Sequence, residues 1–147
     1  MIVKSILKAK ARGAGVVTIS PDATIAEAAK ALATHRIGAL IAVEDGGGIV
    51  GILSERDIVR GLAQQPETCT RSRVRDLMTS EVLVCNETDT LDSLMHTMTA
   101  KRIRHLPVVD GEDKLTGIVT IGDVVKTRLD EASMEVDSLR HYVMGAR

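Results

Sequence analysis

Phenylalanine and tryptophan are absent from this chain, and Tyr142 is its single aromatic residue. A core without rings must be built from Ile, Val, Leu, Met and Ala. A flat ligand would have to lie between aliphatic walls and backbone amides. Cysteine is scarce as well: Cys69 and Cys85 form neither a CxxC pair nor a disulfide framework, which points to a reducing cytoplasm. There is no excess of positive charge, since nineteen Lys and Arg face twenty Asp and Glu for a net charge of −1. General nucleic-acid and membrane-surface binders need a basic footprint, so no nucleic acid and no membrane is expected as partner. No apolar run approaches a membrane span, and the first residues lack the apolar segment of a secretion signal.

What the chain contains is itself, twice. Residues 16–62, moved forward by 66 positions, lie without a gap on residues 82–128, and ten of the 47 pairs are identical. Chance would give roughly three. The identities include Arg36/Arg102, Ile37/Ile103, Gly51/Gly117, Ile52/Ile118 and Asp57/Asp123. One such unit alone would bury only ~60% of its unfolded surface and the pair nearer ~70%, so the two are expected to fold as one module with a shared face. Any site should then come in twos.

Each repeat carries the same order of signals. Val16–Ile19 and Val82–Cys85 are β-rich, and helices follow from Thr24 and Thr90. Ile25, Ala28, Ala29, Leu32 and Ala33 fall on one helical face in the first copy, as do Leu91, Leu94, Met95 and Met98 in the second. Thr24 with Glu27 predicts a capping box. Strand pairs come next, Ala39–Glu44 with Ile49–Leu53 and Leu106–Asp110 with Leu115–Val119, each joined by turn-type residues. A second helix starts after Ser54 or Thr120, with Ile58, Val59 and Leu62, or Val124, Val125 and Leu129, as its apolar side. The fold class is therefore α+β, with the order β-α-β-β-α doubled. Repeat 1 with a lead-in spans 1–65, a polar linker 66–73, repeat 2 74–130 and a helical extension 131–147. Val3–Leu7 resembles Val74–Met78, so each repeat is expected to begin with its own lead-in; in the first copy a longer Lys8–Gly15 stretch follows.

The residues able to do chemistry cluster at two places in each copy. Gly51-Ile52-Leu53-Ser54-Glu55-Arg56-Asp57 and Gly117-Ile118-Val119-Thr120-Ile121-Gly122-Asp123 share a Gly-h-h-Ser/Thr-x-x-Asp pattern. A hydroxyl at a helix start, beside free N–H groups and the positive end of the dipole, suits a phosphate. A carboxylate three residues on can accept both hydrogen bonds of a ribose diol. The same pattern is also an ordinary N-cap, and the two readings are compatible. Lys101-Arg102-Ile103-Arg104-His105 precedes a strand. It reads either as a solvated helix end or as an anion grip through Arg102, Arg104 and His105. The first copy keeps Arg36 but has Gly38 and Ala39 in place of Arg104 and His105, and has Arg56 where the second has Gly122. Two related but unequal sites are expected. Leu40-Ile41-Ala42 and Leu106-Pro107-Val108, helped by Thr18 and Val84, read as core or as apolar walls for a base.

The doubled order and these motifs, with His35-Arg36-Ile37-Gly38-Ala39-Leu40 and Lys101–Val108 before the strand pairs, resemble the cystathionine β-synthase (CBS) domain. Paired, they resemble a Bateman module of the stand-alone bacterial kind. The resemblance implies a pseudo-two-fold pair of repeats that binds an adenine nucleotide (AMP, ATP or NAD(H)) as a regulatory sensor without catalytic activity. It puts Asp57 and Asp123 on the ribose and Ser54 and Thr120 near the phosphate. Gly51 and Gly117 would let backbones approach closely, and Arg36, Ile37, Ala39, Arg56, Arg102, Arg104, His105 and Pro107 would complete the two sites. It also implies a cytoplasmic homodimer through helices, with an unidentified effector protein as a further partner. The competing readings are a purely structural interaction module without ligand, and a small hydrolase or redox enzyme using Cys69 or a histidine. Against the second, His35, His96 and His141 have no partner spacing, Cys85 reads as a buried packing residue, and no metal set forms; Cys69, in the linker, is expected to be exposed.

Overall fold

The computed structural model describes residues 2–10 and 16–145, so the expected Lys8–Gly15 stretch lies outside the described residues from position 11 onward, as do 146 and 147 of the extension. The elements run α1 (Val3–Lys10), β1 (Thr18–Ile19), α2 (Ile25–His35), β2 (Ala39–Val43), β3 (Ile49–Ser54), α3 (Glu55–Gln64), α4 (Val74–Leu77), β4 (Cys85–Asn86), α5 (Leu91–Lys101), β5 (His105–Val109), β6 (Leu115–Thr120) and α6 (Ile121–Gly145). A single 3-10 turn, Cys69–Arg71, interrupts the linker. The 66-residue displacement carries α2 onto α5, β2 onto β5 and β3 onto β6 residue for residue. Each repeat forms a three-stranded sheet, β1-β2-β3 or β4-β5-β6, with a parallel first pair and an antiparallel hairpin.

The first strands are shorter than the β-rich runs suggest, and they begin at different places. Ile41 N–H donates to Val17 O at 3.4 Å. Its counterpart Pro107 has no N–H to give. Pairing in the second sheet therefore starts one residue later, at Cys85↔Val108. Val84, the counterpart of Thr18, is thereby left off that sheet, while Val82 and Leu83 lie outside β4 just as Val16 and Val17 lie outside β1.

Thr24 and Thr90 cap their helices as expected, accepting from Glu27 N at 3.2 Å and Ser93 N at 3.1 Å. The Thr24 cap forms only half of the expected box, because the return bond from the Glu27 carboxylate is not made among the described residues. At the other end both helices stop in a left-handed residue, Arg36 (φ 54°) and Arg102 (φ 53°). Glycine is the usual occupant of that position, and a side chain there costs roughly 1–2 kcal/mol.

Two hydrophobic clusters form, one per repeat, and each borrows from the other copy's lead-in. Ile25, Ala28, Leu32, Leu40, Ala42 and Leu53 enclose Val74 of α4. Leu91, Leu94, Met98, Leu106, Val108, Val119 and Val124 enclose Val3 and Ile6 of α1. The backbone contacts are equivalent. Val3 N–H donates to Asp89 O (2.9 Å) and Lys4 N–H to Glu87 O (2.9 Å), while Val74 N–H donates to Ala23 O (2.8 Å) and Arg75 N–H to Pro21 O (2.9 Å). Sequence similarity had attached each lead-in to the repeat that follows it; the structure exchanges them. Each buried Val or Ile contributes roughly 1.5–3 kcal/mol, so the exchange ties the repeats into one module. Cys69, expected to be exposed, is buried in the first cluster with 1% of its surface accessible.

The exchange explains the glycines of the repeated motif. A Cβ on Gly51 would collide with the Met78 side chain, and one on Gly117 would lie 2.6 Å from Leu7 Cδ2. The close approach expected at these glycines is made by the exchanged lead-in, which lies across them. On the opposite faces of β2 and β5, Ala39, Ile41 and Pro107 are buried outside both clusters. The repeats meet here, with Gly38 close enough that an added Cβ would lie 3.3 Å from His105 Nε2.

Candidate functional site

The two Ser/Thr-x-x-Asp segments sit at the starts of α3 and α6, and both make caps. Ser54 N–H and Oγ donate to Asp57 Oδ2 at 2.9 and 3.0 Å, and Asp57 N–H donates to Ser54 Oγ at 3.3 Å. Thr120 N–H donates to Asp123 Oδ2 at 2.9 Å, and Asp123 N–H donates to Thr120 Oγ1 at 3.2 Å. In each carboxylate one oxygen, Oδ2, carries the cap.

Around Asp57 the molecule opens into a cavity of about 330 Å3. Its polar floor is the start of α3, with Ser54, Glu55, Arg56, Asp57 and Arg60. Arg102, Ile103, Arg104, His105 and Pro107 enter from the second repeat, and Gly38 and Ile52 from the first. Thr79, Glu81, Val82 and Leu83 complete it; the last two belong to the segment that leads into β4. Apolar walls of Ile52, Val82, Leu83 and Pro107 thus face a helix start and a group of guanidinium ions. A second cavity of about 540 Å3, lined largely by polar side chains, shares Asp57, Arg60 and Thr79 with the first and runs toward Ser72 and Asp76.

Seven of the fourteen residues singled out from sequence line the 330 Å3 cavity: Ser54, Arg56, Asp57, Arg102, Arg104, His105 and Pro107. The other seven do not. Thr120, Asp123, Arg36, Ile37 and Ala39 are, by the 66-residue displacement, the counterparts of Ser54, Asp57, Arg102, Ile103 and His105, and so belong to the opposite half. Thr18 is exposed on β1, and Val84 is exposed just before β4. The grouping also changes. Sequence comparison set Arg56 against the Arg104-His105 pair as alternatives within separate copies, whereas the structure brings all three to one cavity across the repeat boundary. Thr79, Glu81, Val82, Leu83 and Arg60 were missed from sequence. No local signal marked Val82 and Leu83, whose β-rich composition reads as strand.

His105 stands where the halves meet. Burial pushes its imidazole below the ordinary histidine value; the Glu55 carboxylate pulls upward and the Arg104 guanidinium downward, so the ring is held toward its neutral form. Cys85, the first residue of β4, is buried in the second cluster, and burial together with Asp89 pushes its thiol up to about 12, which removes it as a nucleophile near neutral pH. The left-handed turn at Arg102 is retained by an arginine that lines the cavity, although glycine would relieve the backbone.

The equivalent environment around Asp123 is occupied by the chain itself. Lys10, the last residue of α1, places Nζ 2.7 Å from Asp123 Oδ2 and 2.7 Å from Ile118 O. Ile52, the counterpart of Ile118, meets Thr79 instead: Ile52 O accepts from Thr79 N–H at 2.9 Å, and Ile52 N–H donates to Thr79 O at 3.0 Å. The same backbone carbonyl thus takes a lysine in one copy and a strand-like segment in the other. Asp57 has no such cation; among the described residues its carboxylate forms no ion pair.

Comparison with known proteins places this arrangement. The sequence profile of the CBS domain matches residues 13–64 and 74–130. The CBS-domain-containing protein ATU1752 from Agrobacterium tumefaciens is 42% identical, with a TM-score of 0.82 over 87% of this chain and 99% of that one. The CBS domain pair of protein MJ0100, solved with 5′-methylthioadenosine and S-adenosyl-L-methionine, is 30% identical, with a TM-score of 0.78 over 89% and 98% of the two chains. The CBS domain protein PAE2072 from Pyrobaculum aerophilum, complexed with AMP, is 26% identical, with a TM-score of 0.74 over 84% and 89%. With two matched copies, two equivalent sheets and this structural likeness, the chain belongs to the CBS-domain family as a tandem pair.

Proposed function

We propose that this CBS pair is a non-catalytic regulatory module that binds an adenine nucleotide (AMP, ATP or NAD(H)) in the cavity at Asp57. One observation carries the reading: a helix start bearing Ser54 and Asp57 shares a cavity with Arg102 and Arg104 of the other repeat, between apolar walls. Asp57 would hold the ribose diol, Ser54 and the Arg56 N–H the phosphate end, and the guanidinium groups its charge; the Glu55 and Asp57 N–H groups already donate to Gly38 O and Ser54 Oγ. Adenine would lie against Ile52, Val82, Leu83 and Pro107. The volume of about 330 Å3 falls at the lower end for small-molecule sites, which suits a mononucleotide.

An adenosyl group is common to the ligands of the similar proteins described above, while their 5′ ends differ: a phosphate, a neutral thioether and a sulfonium. Arg56, Arg60, Arg102 and Arg104 against Glu55, Asp57 and Glu81 favour an anionic end over a sulfonium. Because the ligand would touch both repeats, binding would tighten their meeting face and shift the population of module conformations read by a cytoplasmic effector protein. We place the module in a homodimer formed through its helices. No helix among the described residues is long and apolar enough to cross a membrane.

Calorimetry with AMP, ATP and NADH tests the reading. At least one should bind, and Asp57→Ala should weaken it about ten- to a hundredfold, the worth of charge-assisted hydrogen bonds. The caps made by Ser54 and Thr120 favour the purely structural reading as the alternative. Silence across the panel, with Asp57→Ala changing only stability, would establish it.

A further inference from the structure

The second half of α6 is an unpartnered surface. The helix runs 25 residues, about 37 Å at 1.5 Å per residue. Its start packs on α5, where Arg128 pairs with Asp92 and Glu131 and Nε approaches Met95 Sδ at 3.2 Å. From Ala132 to Gly145 every residue is exposed, and a helical stretch of that length is marginal without something to pack against. Met134, Tyr142 and Met144 lie off any common face, but the other exposed apolar residues of α6 fall in one line. Val125, Leu129, Ala132, Val136, Leu139 and Val143 follow alternating steps of four and three, the a/d seam of a coiled coil, and all are exposed, Leu139 by 64%.

We propose that this seam pairs with the same seam of a second copy, in parallel and in register. The charges beside the seam select that occupant. With Leu129, Val136 and Val143 at a positions, Glu135 falls at g and Arg140 at e. In a parallel pair, Glu135 of each copy meets Arg140 of the other, giving two opposite-charge contacts. The antiparallel overlay that buries the whole seam sets Val125 on Val143, Glu135 against Glu135 and Lys126 against Arg140, so like charges oppose along its edges. Neither Glu135 nor Arg140 forms an ion pair within its own chain among the described residues. Val136 and Val143 at a with Leu139 at d favour two strands over three or four.

The inference rests on the homodimer reading above and assigns its contact surface and direction. Sedimentation of the full chain should give a dimer. Val136→Glu with Leu139→Glu, both at exposed positions, should weaken the dimer about a hundredfold, because each association would bury unpaired charge, while the melting curve at concentrations where the wild type is itself monomeric stays unchanged. Arg140→Glu should weaken it about tenfold, and adding Glu135→Arg should restore it. Val143→Cys should link two copies on mild oxidation, since parallel helices bring both ends together. A dimer indifferent to the double Glu variant overturns the seam, and one that resists cross-linking at Val143→Cys overturns the parallel direction. A monomeric wild-type chain overturns both this and the homodimer reading, whereas retained nucleotide binding by the monomeric variant separates either failure from that of the Asp57 site.

Discussion

Asp57 and Asp123 occupy the same place in the two repeats, three residues into a helix behind a hydroxyl cap, and they face different surroundings. Asp57 opens onto a cavity of about 330 Å3 to which both repeats contribute. Asp123 holds Lys10 at 2.7 Å. The difference does not arise in the motif, which is nearly the same in both copies, but in the lead-ins that cross over to it. Up to Leu7 and Met78 the two lead-ins behave alike, each lying on the glycine of the opposite motif. Beyond that point α1 stays helical to Lys10, while the second lead-in leaves its helix at Leu77 and pairs with Ile52 through Thr79. A duplication thus produces unequal sites through the segments outside the duplicated unit.

The shared part of the comparison can be tested first, where the largest stability effects are expected. Gly51→Ala and Gly117→Ala should each cost roughly 1–3 kcal/mol in chemical denaturation, the usual cost of overpacking. Met78→Ala should recover much of the Gly51→Ala loss, and Leu7→Ala much of the Gly117→Ala loss, because those side chains fill the space. If shortening the crossing side chain gives no recovery in either pair, the exchange of lead-ins is not what these glycines serve.

The unequal part is tested by removing the lysine. Lys10→Met should cost no more than about 1 kcal/mol, since an ion pair exposed by about a fifth on each side is partly screened. It should also free the Asp123 carboxylate, adding a second, weaker nucleotide site to the isotherm. An unchanged isotherm would show that Lys10 is not what distinguishes the halves.

The smallest effect concerns the meeting face. Ala39, the counterpart of His105, cannot titrate. His105 has its folded-state pKa lowered, chiefly by burial, so the native protein binds its proton less readily than the unfolded chain does. Its contribution is complete above the ordinary histidine value near 6.5 and is lost as pH falls from there through the lowered folded value. Denaturation midpoints measured from pH 8 to pH 5 should decline in the wild type, and His105→Ala should flatten that part of the decline. An identical slope in both would remove His105 from the account.

Much of this was legible beforehand for a plain reason: the ungapped displacement of 66 residues fixes which elements correspond, and apolar spacing then gives α2 and α5 their buried sides, although Ala29 and Ala33, expected on that face of α2, are exposed. Ser54, Asp57, Arg102, Arg104 and His105 stood out because their residue types suit anions and diols at helix ends. What stayed hidden was which copy each piece serves. Val3–Leu7 and Val74–Met78 are similar, and so are the two surfaces that receive them, so sequence similarity cannot distinguish attachment from exchange. The Lys10–Asp123 pair spans most of the chain, and no local pattern announces it. Val82 and Leu83 read as strand residues by composition, yet they lie outside the strand, as their counterparts Val16 and Val17 do in the first copy. The apolar side expected for α3 and α6 divided as well: Val124 is buried, whereas Val59, Val125 and Leu129 face outward, since one helix cannot spend its whole apolar arc on a single small sheet.

The most direct test of the unequal-site account is a calorimetric titration with AMP of the wild type, Asp57→Ala and Asp123→Ala side by side. The account predicts one site per chain in the wild type, loss of most of the affinity in Asp57→Ala, and near-native binding in Asp123→Ala. Two equal sites in the wild type, or binding lost through Asp123→Ala and kept in Asp57→Ala, would contradict it.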